Sequence, residues 1–252
     1  MWKTNRTGHL TTWGANQIAW LRIPDDSPIW QKYPDTSSGR DSPHIELLTL
    51  NGGLGDLAGL FGNFVGFGAI VLQPTSRGSI TLGSSDPFAQ PLIDTGIFTS
   101  PVNIQIMVEA MKSARKFYSA PVWNDYVLDT AVPFTEDILD DDEAVIEVLK
   151  KLTNYAWHLV GTVAMLPADA DWGYVDPDLR LKKVTGLHVV DASIMPFVPA
   201  AHTQFPVYVI AERAANLIKR YWAKSEERVK SCDQVQGGLS QLFLLQNSTV
   251  TI

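Results

Sequence analysis

The sequence of 252 residues has a single cysteine, Cys232, few basic residues and no long apolar run. One cysteine excludes an internal disulfide framework and a cysteine-rich zinc site. The 20 Lys and Arg residues face 27 Asp and Glu residues, and the formal charge of −7 argues against a nucleic-acid-binding protein. No apolar stretch reaches the roughly eighteen residues that a transmembrane helix needs. With 45% hydrophobic residues, the composition is that of a globular protein.

Two further features are missing. The first residues lack the apolar region of a secretory signal, so a complete chain is expected in the cytoplasm and a fragment of a longer secreted precursor outside the cell. The glycine-rich stretch from Asn51 to Gly68 does not follow the strand–glycine–helix pattern of a phosphate-binding loop. The sequence therefore offers no dinucleotide-binding fingerprint.

The N-terminal third reads as extended chain. Residues 17–23 and 44–50 are predicted strands, because they are rich in β-branched and apolar side chains. Residues 69–73 and 79–82 flank the turn-forming stretch 74–78, and this pattern predicts a hairpin between them.

Helical periodicity begins later in the chain. Ser100 and Pro101 are favoured at a helix start, and the apolar residues between 106 and 118 then lie on one face. Pro206 opens another predicted helix, with an apolar stripe from Val207 to Tyr221.

Between these two helices, the acidic run 140–143 suits the N-terminus of a further helix. That helix is expected to continue to Ala156 and to place His158 at its C-terminal end. The short apolar segment Leu187–Asp191 reads as a strand that is buried on both faces.

Of the five histidines, two are candidates for chemistry. His9, His44 and His188 lie in contexts that indicate structural roles. His158 stands beside a glycine-containing loop, and His202 precedes a predicted helix N-terminus, so the two form a possible acid–base pair. Taken alone, each histidine fits a packed structural role equally well.

A set of ordered motifs narrows the choice. They are His158–Thr162, Trp172–Lys182, Gly186–Pro196, Ala201–Gln204 with Pro206, and Ala211–Ala215. Together they resemble the C-terminal signature of the glucose–methanol–choline (GMC) flavoprotein oxidoreductases, and within that family the fungal aryl-alcohol oxidases and pyranose dehydrogenases. The resemblance runs from about residue 5 to residue 223.

The resemblance implies an α+β fold, with an antiparallel sheet of about six strands and flanking helices. Residues 1–183 would form a substrate-binding domain of the GMC type. Residues 184–223 would be the remnant C-terminal strand and helix of a flavin domain, and residues 224–252 a poorly ordered tail.

The resemblance also implies the site. In the family, a histidine at the position of His158 accepts the hydroxyl proton of an alcohol while hydride passes to flavin N5, and His202 would position the alcohol. The cofactor is FAD: Asp191 and Ala192 would approach its pyrophosphate, and His202, Thr203, Gln204 and Pro206 would line its ring. Six aromatic residues could form walls of a substrate pocket: Trp13, Trp20, Phe61, Phe64, Phe67 and Phe205.

Three functions remain open at this point. The first is the C-terminal half of an FAD-dependent alcohol oxidoreductase that acts on a small alcohol. The second is a cofactor-free lyase, isomerase or cyclase that uses the histidine pair, and the third is a non-catalytic binding module. Because the fingerprint is missing, tight FAD binding by this chain alone is not expected. The partner would be a flavin-domain polypeptide, or a second copy paired through Leu187–Asp191. No metal, nucleic acid or membrane is expected to bind.

Overall fold

A computed structural model describes residues 2–7, 14–51, 64–131 and 133–223. They group into two compact units: Met1–Thr162 with Phe197–Thr203, and Val163–Pro196 with Gln204–Ile252. This grouping reflects contacts within the chain, and the family-domain boundary at residue 183 stays a prediction. The predicted tail, residues 224–252, lies outside the described residues.

The first unit is built on a three-stranded antiparallel sheet. Strands β1 (Ala15–Leu21), β2 (Ile45–Asn51) and β3 (Val65–Val71) lie in the order β1-β2-β3. Because β2 is central, its residues from 45 to 48 are all buried. The two predicted strands are confirmed with shifted ends, and β3 replaces one arm of the predicted hairpin.

One long helix covers this sheet. Helix α3 (Pro101–Tyr118) begins with proline at its first turn, as the sequence predicts. Its buried face includes Ile106, Ala110 and Ala114, which pack with Ile45 and Leu47 of β2. The match of the helical period to this face explains why the helix was predictable from sequence.

The predicted hairpin of 69–73 with 79–82 is wrong. Strand β4 (Ser79–Thr81) pairs instead with β5 (Leu92–Asp94) in a separate two-stranded sheet, called here the β4–β5 hairpin. The intervening loop cannot turn back on β3, because the side chain of Asn103 in α3 accepts hydrogen bonds from Thr75 and Ser76 and holds the loop at the helix.

The acidic run begins a helix as predicted. Asp141 accepts a hydrogen bond from the backbone N–H of Glu143 and caps α5 (Asp142–Leu152), which follows the short α4 (Glu136–Leu139). The predicted extension to Ala156 is wrong, because α5 ends at Leu152 and an irregular segment follows. Shorter elements of this unit are α1 (Trp2–Asn5), α2 (Ile29–Lys32) and a 3₁₀ turn (Pro121–Trp123).

The second unit has its own small core. Val175, Leu179, Ile194 and Ala214 are buried together, and Ala214 belongs to helix α6, whose described part runs over residues 204–223. A 3₁₀ turn (Ala192–Ile194) follows Asp191. This helix was predicted to open at residue 206 and begins two residues earlier.

The predicted doubly buried strand Leu187–Asp191 is wrong. Leu187 and Val190 are exposed, and the segment makes one isolated bridge, between His188 and Arg180. A single bridge among the described residues is too little pairing to hold a strand. Of the strand and helix predicted within residues 184–223, the structure contains the helix but not the strand.

The fold is therefore mixed helix and sheet with antiparallel strands, as expected. The described residues hold five strands in sheets of three and two, not one sheet of about six. Within the same residues, no helix has the length and apolar character needed to cross a membrane.

Candidate active site

His158 lies in a strained loop. It follows α5 by six residues, and its neighbour Trp157 has a positive φ of 55°. Such a backbone costs an aromatic residue on the order of 1–3 kcal/mol, and strained residues of this kind cluster at functional sites. Gly161 turns the chain out of the loop with a φ of 89°, which glycine adopts without strain.

His202 approaches His158 from a different part of the chain. It lies in the loop before α6, and its Nδ1 is 3.3 Å from Nε2 of His158. The rings meet edge to face, with centroids 4.9 Å apart and planes at 84°. The structure thus brings together the two imidazoles that the sequence had paired.

A buried glutamate completes the cluster. Glu46 of β2 is directly opposite Trp20 of β1 in the sheet, and its Oε2 accepts a hydrogen bond of 2.8 Å from the Trp20 indole N–H. Its other oxygen, Oε1, lies 2.9 Å from Nε2 of His202. A carboxylate in so buried a position is destabilising unless it is paired. The contact with Glu46 is therefore expected to hold His202 in its place.

The contact between Glu46 and His202 is close but poorly aligned. The ring N–H of His202 does not point at Oε1, and this oxygen has no hydrogen-bond donor among the described residues. An ion-pair distance without hydrogen-bond geometry leaves acceptor capacity free at the site.

His158 is biased towards its neutral form. Burial lowers the pKa of His158 below the ordinary 6.5, and the charge that His202 takes on when protonated lowers this pKa further, while the Glu46 carboxylate opposes the effect. A neutral imidazole has a lone pair that can accept a proton at neutral pH.

These three residues line one cavity of about 260 Å³ within the first unit. Its volume suits a small organic molecule. Most of the wall is apolar, and its polar residues include Glu46, His158 and His202. Apolar lining residues include Ile97, Phe98, Met107, Leu159 and Val198.

The predicted aromatic walls are mostly wrong. Trp20 holds Glu46, and Phe67 packs into the core beneath α3. Phe64 is half-buried outside the cavity lining, and Phe205 is largely exposed in the second unit. Trp13 and Phe61 lie outside the described residues. The aromatic residues that do line the cavity are Phe98 and Tyr155, which the sequence had not singled out.

The residues expected near FAD are divided between the units. His202 and Thr203 belong to the first unit, and Asp191, Ala192, Gln204 and Pro206 to the second. The Asp191 carboxylate accepts the backbone N–H of Ser193 at 2.8 Å and so starts the 3₁₀ turn. Their roles towards a cofactor stay predictions.

Glu46 was not foreseen, although the sequence contains a signal for it. One carboxylate stands inside the apolar strand Ile45–Asn51, where an unpaired charge would be strongly unfavourable. A lone acid in a strand that is buried on both faces therefore indicates a partner from elsewhere in the chain.

Two imidazoles and a buried carboxylate lie together in the wall of a mainly apolar cavity, an arrangement that is typical of active sites for small molecules. The chain belongs to the GMC oxidoreductase family, whose C-terminal domain model matches residues 74–211. It is 39% identical over 228 residues to dehydrogenase eriK of Hericium erinaceus and 38% identical over 232 residues to a pyranose dehydrogenase of Agaricus xanthodermus. Each match covers 86% of this chain but only 37% or 38% of the relative.

Solved structures agree with this assignment. The formate oxidase of Aspergillus oryzae matches with a TM-score of 0.75 and 25% identity, over 87% of this chain and 40% of that protein. A fungal aryl-alcohol oxidase matches with a TM-score of 0.57 and 31% identity, over 72% of this chain and 28% of that protein. The chain thus spans well under half the length of the relatives it resembles.

Proposed function

We propose that this chain is the alcohol-binding C-terminal half of an FAD-dependent alcohol oxidoreductase. The observation that carries the proposal is the His158–His202 pair, 3.3 Å apart in one cavity with Glu46 behind it. The family membership and the names of the relatives support the same reaction class.

The carboxylate favours one arrangement of protons. Because Oε1 of Glu46 faces Nε2 of His202, the proton of neutral His202 is favoured on Nε2, and its Nδ1 then accepts from Nε2–H of His158. His158 keeps its lone pair on Nδ1, and this atom is our candidate acceptor for the hydroxyl proton. The Glu46 carboxylate would stabilise the imidazolium that His158 becomes.

The residues expected at the cofactor fit only part of FAD. FAD, when bound, supplies the hydride acceptor for the alcohol carbon. Thr203, Gln204 and the N-terminus of α6 offer neutral hydrogen-bond donors and acceptors that suit a ring edge. None of the six expected residues is a lysine or arginine, and Asp191 is itself an anion, so this donor set does not fit a pyrophosphate.

We therefore propose that a flavin-binding polypeptide segment, of the length by which the relatives exceed this chain, completes the enzyme. The β4–β5 hairpin supports a partner of this kind, since it exposes five large apolar side chains: Ile80, Leu82, Phe88, Leu92 and Ile93. Self-association through Leu187–Asp191 has lost its basis, because that segment does not form a strand.

FAD titration tests the proposal in two arms. The chain alone is expected to bind FAD weakly and to oxidise no alcohol. A chimera in which this chain replaces the 228 aligned residues of dehydrogenase eriK is expected to bind FAD and to lose flavin absorbance when an alcohol is added without oxygen. Acid–base turnover of a substrate by the chain without FAD would favour the lyase, isomerase or cyclase reading. A folded chimera that binds FAD but is never reduced would favour a binding module.

A further inference from the structure

The wall of the cavity contains a second buried polar side chain, at Asn103 in the first turn of α3. Its side chain is among the most buried polar groups of the described chain, with 3% of the residue exposed. The two ends of its amide differ sharply in their partners.

The oxygen of this amide is fully used. Asn103 Oδ1 accepts the backbone N–H of Ser76 at 2.9 Å, the Ser76 hydroxyl at 2.8 Å and the Thr75 hydroxyl at 3.2 Å. A backbone N–H can only donate, so the atom that faces it must be the oxygen, and this contact fixes the orientation of the amide.

The nitrogen of the same amide differs from the oxygen in having no partner among the described residues. Nδ2 is buried and finds no acceptor in the part of the chain that the structure describes. A buried donor without an acceptor is destabilising, and such groups are rare unless a ligand or water serves them. Asn103 and Glu46 thus both line the cavity, and each carries a buried polar atom that has no partner among the described residues.

We propose that Asn103 is a specificity-determining residue, whose Nδ2 donates a hydrogen bond to a second oxygen of the alcohol substrate. The inference rests on the proposed function, because it takes the His158–His202 end as the site of the reacting hydroxyl. The substrate class is then an alcohol that carries a further oxygen acceptor, such as an ether, carbonyl or second hydroxyl, across a mainly apolar body. Alcohols without that oxygen leave Nδ2 unpaired and bind less tightly.

Isosteric alcohols test this proposal on the intact chain. Cyclohexylmethanol has no second oxygen, and the 2-, 3- and 4-ylmethanols of tetrahydropyran replace one ring CH₂ by an ether oxygen that can only accept. Affinity for each is measured by calorimetry on the wild type and on Asn103→Asp. Aspartate keeps an oxygen for Thr75 and Ser76 but removes the donor. Asn216→Asp is the matched control, since Asn216 is exposed and its amide donates to the backbone of Glu212.

The quantity compared is the affinity for each ether isomer divided by the affinity for cyclohexylmethanol. For at least one isomer, we expect this ratio to be about tenfold higher in the wild type and in Asn216→Asp than in Asn103→Asp. Equal ratios in all three proteins would overturn the proposal, and so would a wild type that prefers none of the isomers, whether or not Asn103→Asp folds. If alcohols bind without preference, only this inference fails. If no alcohol, including cyclohexylmethanol, binds or competes at the cavity, the proposed alcohol site fails with it.

Discussion

Two histidines of the first unit each face a carboxylate. In one pair the histidine is the buried partner, and in the other the carboxylate is. At one pair His44 is wholly buried and Asp35 is 37% exposed, whereas at the other His202 is 38% exposed and Glu46 only 1%. Both ring nitrogens of His44 are bonded: Nδ1 accepts the Ile23 N–H at 3.1 Å, and Nε2 lies 2.8 Å from Asp35.

His202 has no such closed set of partners. It lies near Oε1 of Glu46 without hydrogen-bond alignment and makes a long contact of 3.3 Å to His158. A histidine and a carboxylate therefore make a fully bonded pair at His44 and Asp35, called here the structural clamp, and an incompletely bonded pair at His202 and Glu46. What separates them is whether the buried partner is fully bonded.

The largest expected effect concerns turnover. His158→Ala removes the proposed proton acceptor, and we expect kcat of the flavin-completed chimera to fall by about 10²–10⁴-fold with little change in its melting temperature. His188→Ala is the control, because the His188 ring meets Tyr221 edge-on in the second unit and lines no part of the cavity. Comparable losses of kcat in the His158→Ala and His188→Ala variants would contradict a specific role of His158 as the proton acceptor.

The clamp should dominate stability instead. His44→Ala leaves the Ile23 N–H unpaired and opens a void beside Trp30, whose ring centroid is 4.7 Å from that of His44. We expect a loss of about 2–4 kcal/mol in the free energy of unfolding. His202→Ala should cost less, because the His202 side chain is partly exposed and its contact with Glu46 lacks hydrogen-bond alignment. Urea denaturation of the two variants measures both, and a larger cost at His202 would reverse our assignment.

Acid should weaken the clamp through Asp35. Burial alone would raise the pKa of Asp35, but hydrogen bonds from His44, Ser37 and Arg22 outweigh it and hold this pKa well below the ordinary 3.8. The resulting stability is present above pH 3.8 and is lost as the pH falls below that value. In Asp35→Asn, the free energy of unfolding should fall less steeply as the pH drops below 3.8. An unchanged pH dependence, measured by urea denaturation at several pH values, would show that Asp35 is not the source of this loss.

The smallest effect is a shift in the pKa of His158. Its titration followed by NMR should have a midpoint below 6.5, because burial and the charge of His202 both lower this pKa. Glu46→Gln removes the opposing charge and should lower the midpoint further, whereas His202→Gln should raise it. Shifts of the His158 midpoint in the opposite directions would contradict the effects that we assign to the charges of Glu46 and His202.

The parts of the fold set by local periodicity were predictable from the sequence. The apolar stripe of α3 and the acidic start of α5 both define helices without help from distant residues. The partner of β3 was not predictable, because Asn103 redirects the loop at residues 75–76 through contacts 27 and 28 positions away.

The site shows the same division. The histidine pair was found from family motifs, which record an arrangement that spacing alone cannot supply across 44 positions. Glu46 and Asn103 were not predicted, because what marks them is burial and an unsatisfied polar atom, and neither can be seen directly in the sequence. Leu187–Asp191 was wrongly predicted as a buried strand. An apolar run favours burial, but whether it is buried depends on neighbouring strands that the run itself does not contain.

The most direct test of the central claim uses both kinds of histidine in one experiment. Cyclohexylmethanol is titrated into the intact chain while the ring signals of all its histidines are followed by heteronuclear NMR. We predict that the signals of His158 and His202 move together with one binding constant while those of His44 stay fixed. Movement of His44 equal to theirs, or saturable binding that leaves His158 and His202 unmoved, would contradict an alcohol site at the histidine pair.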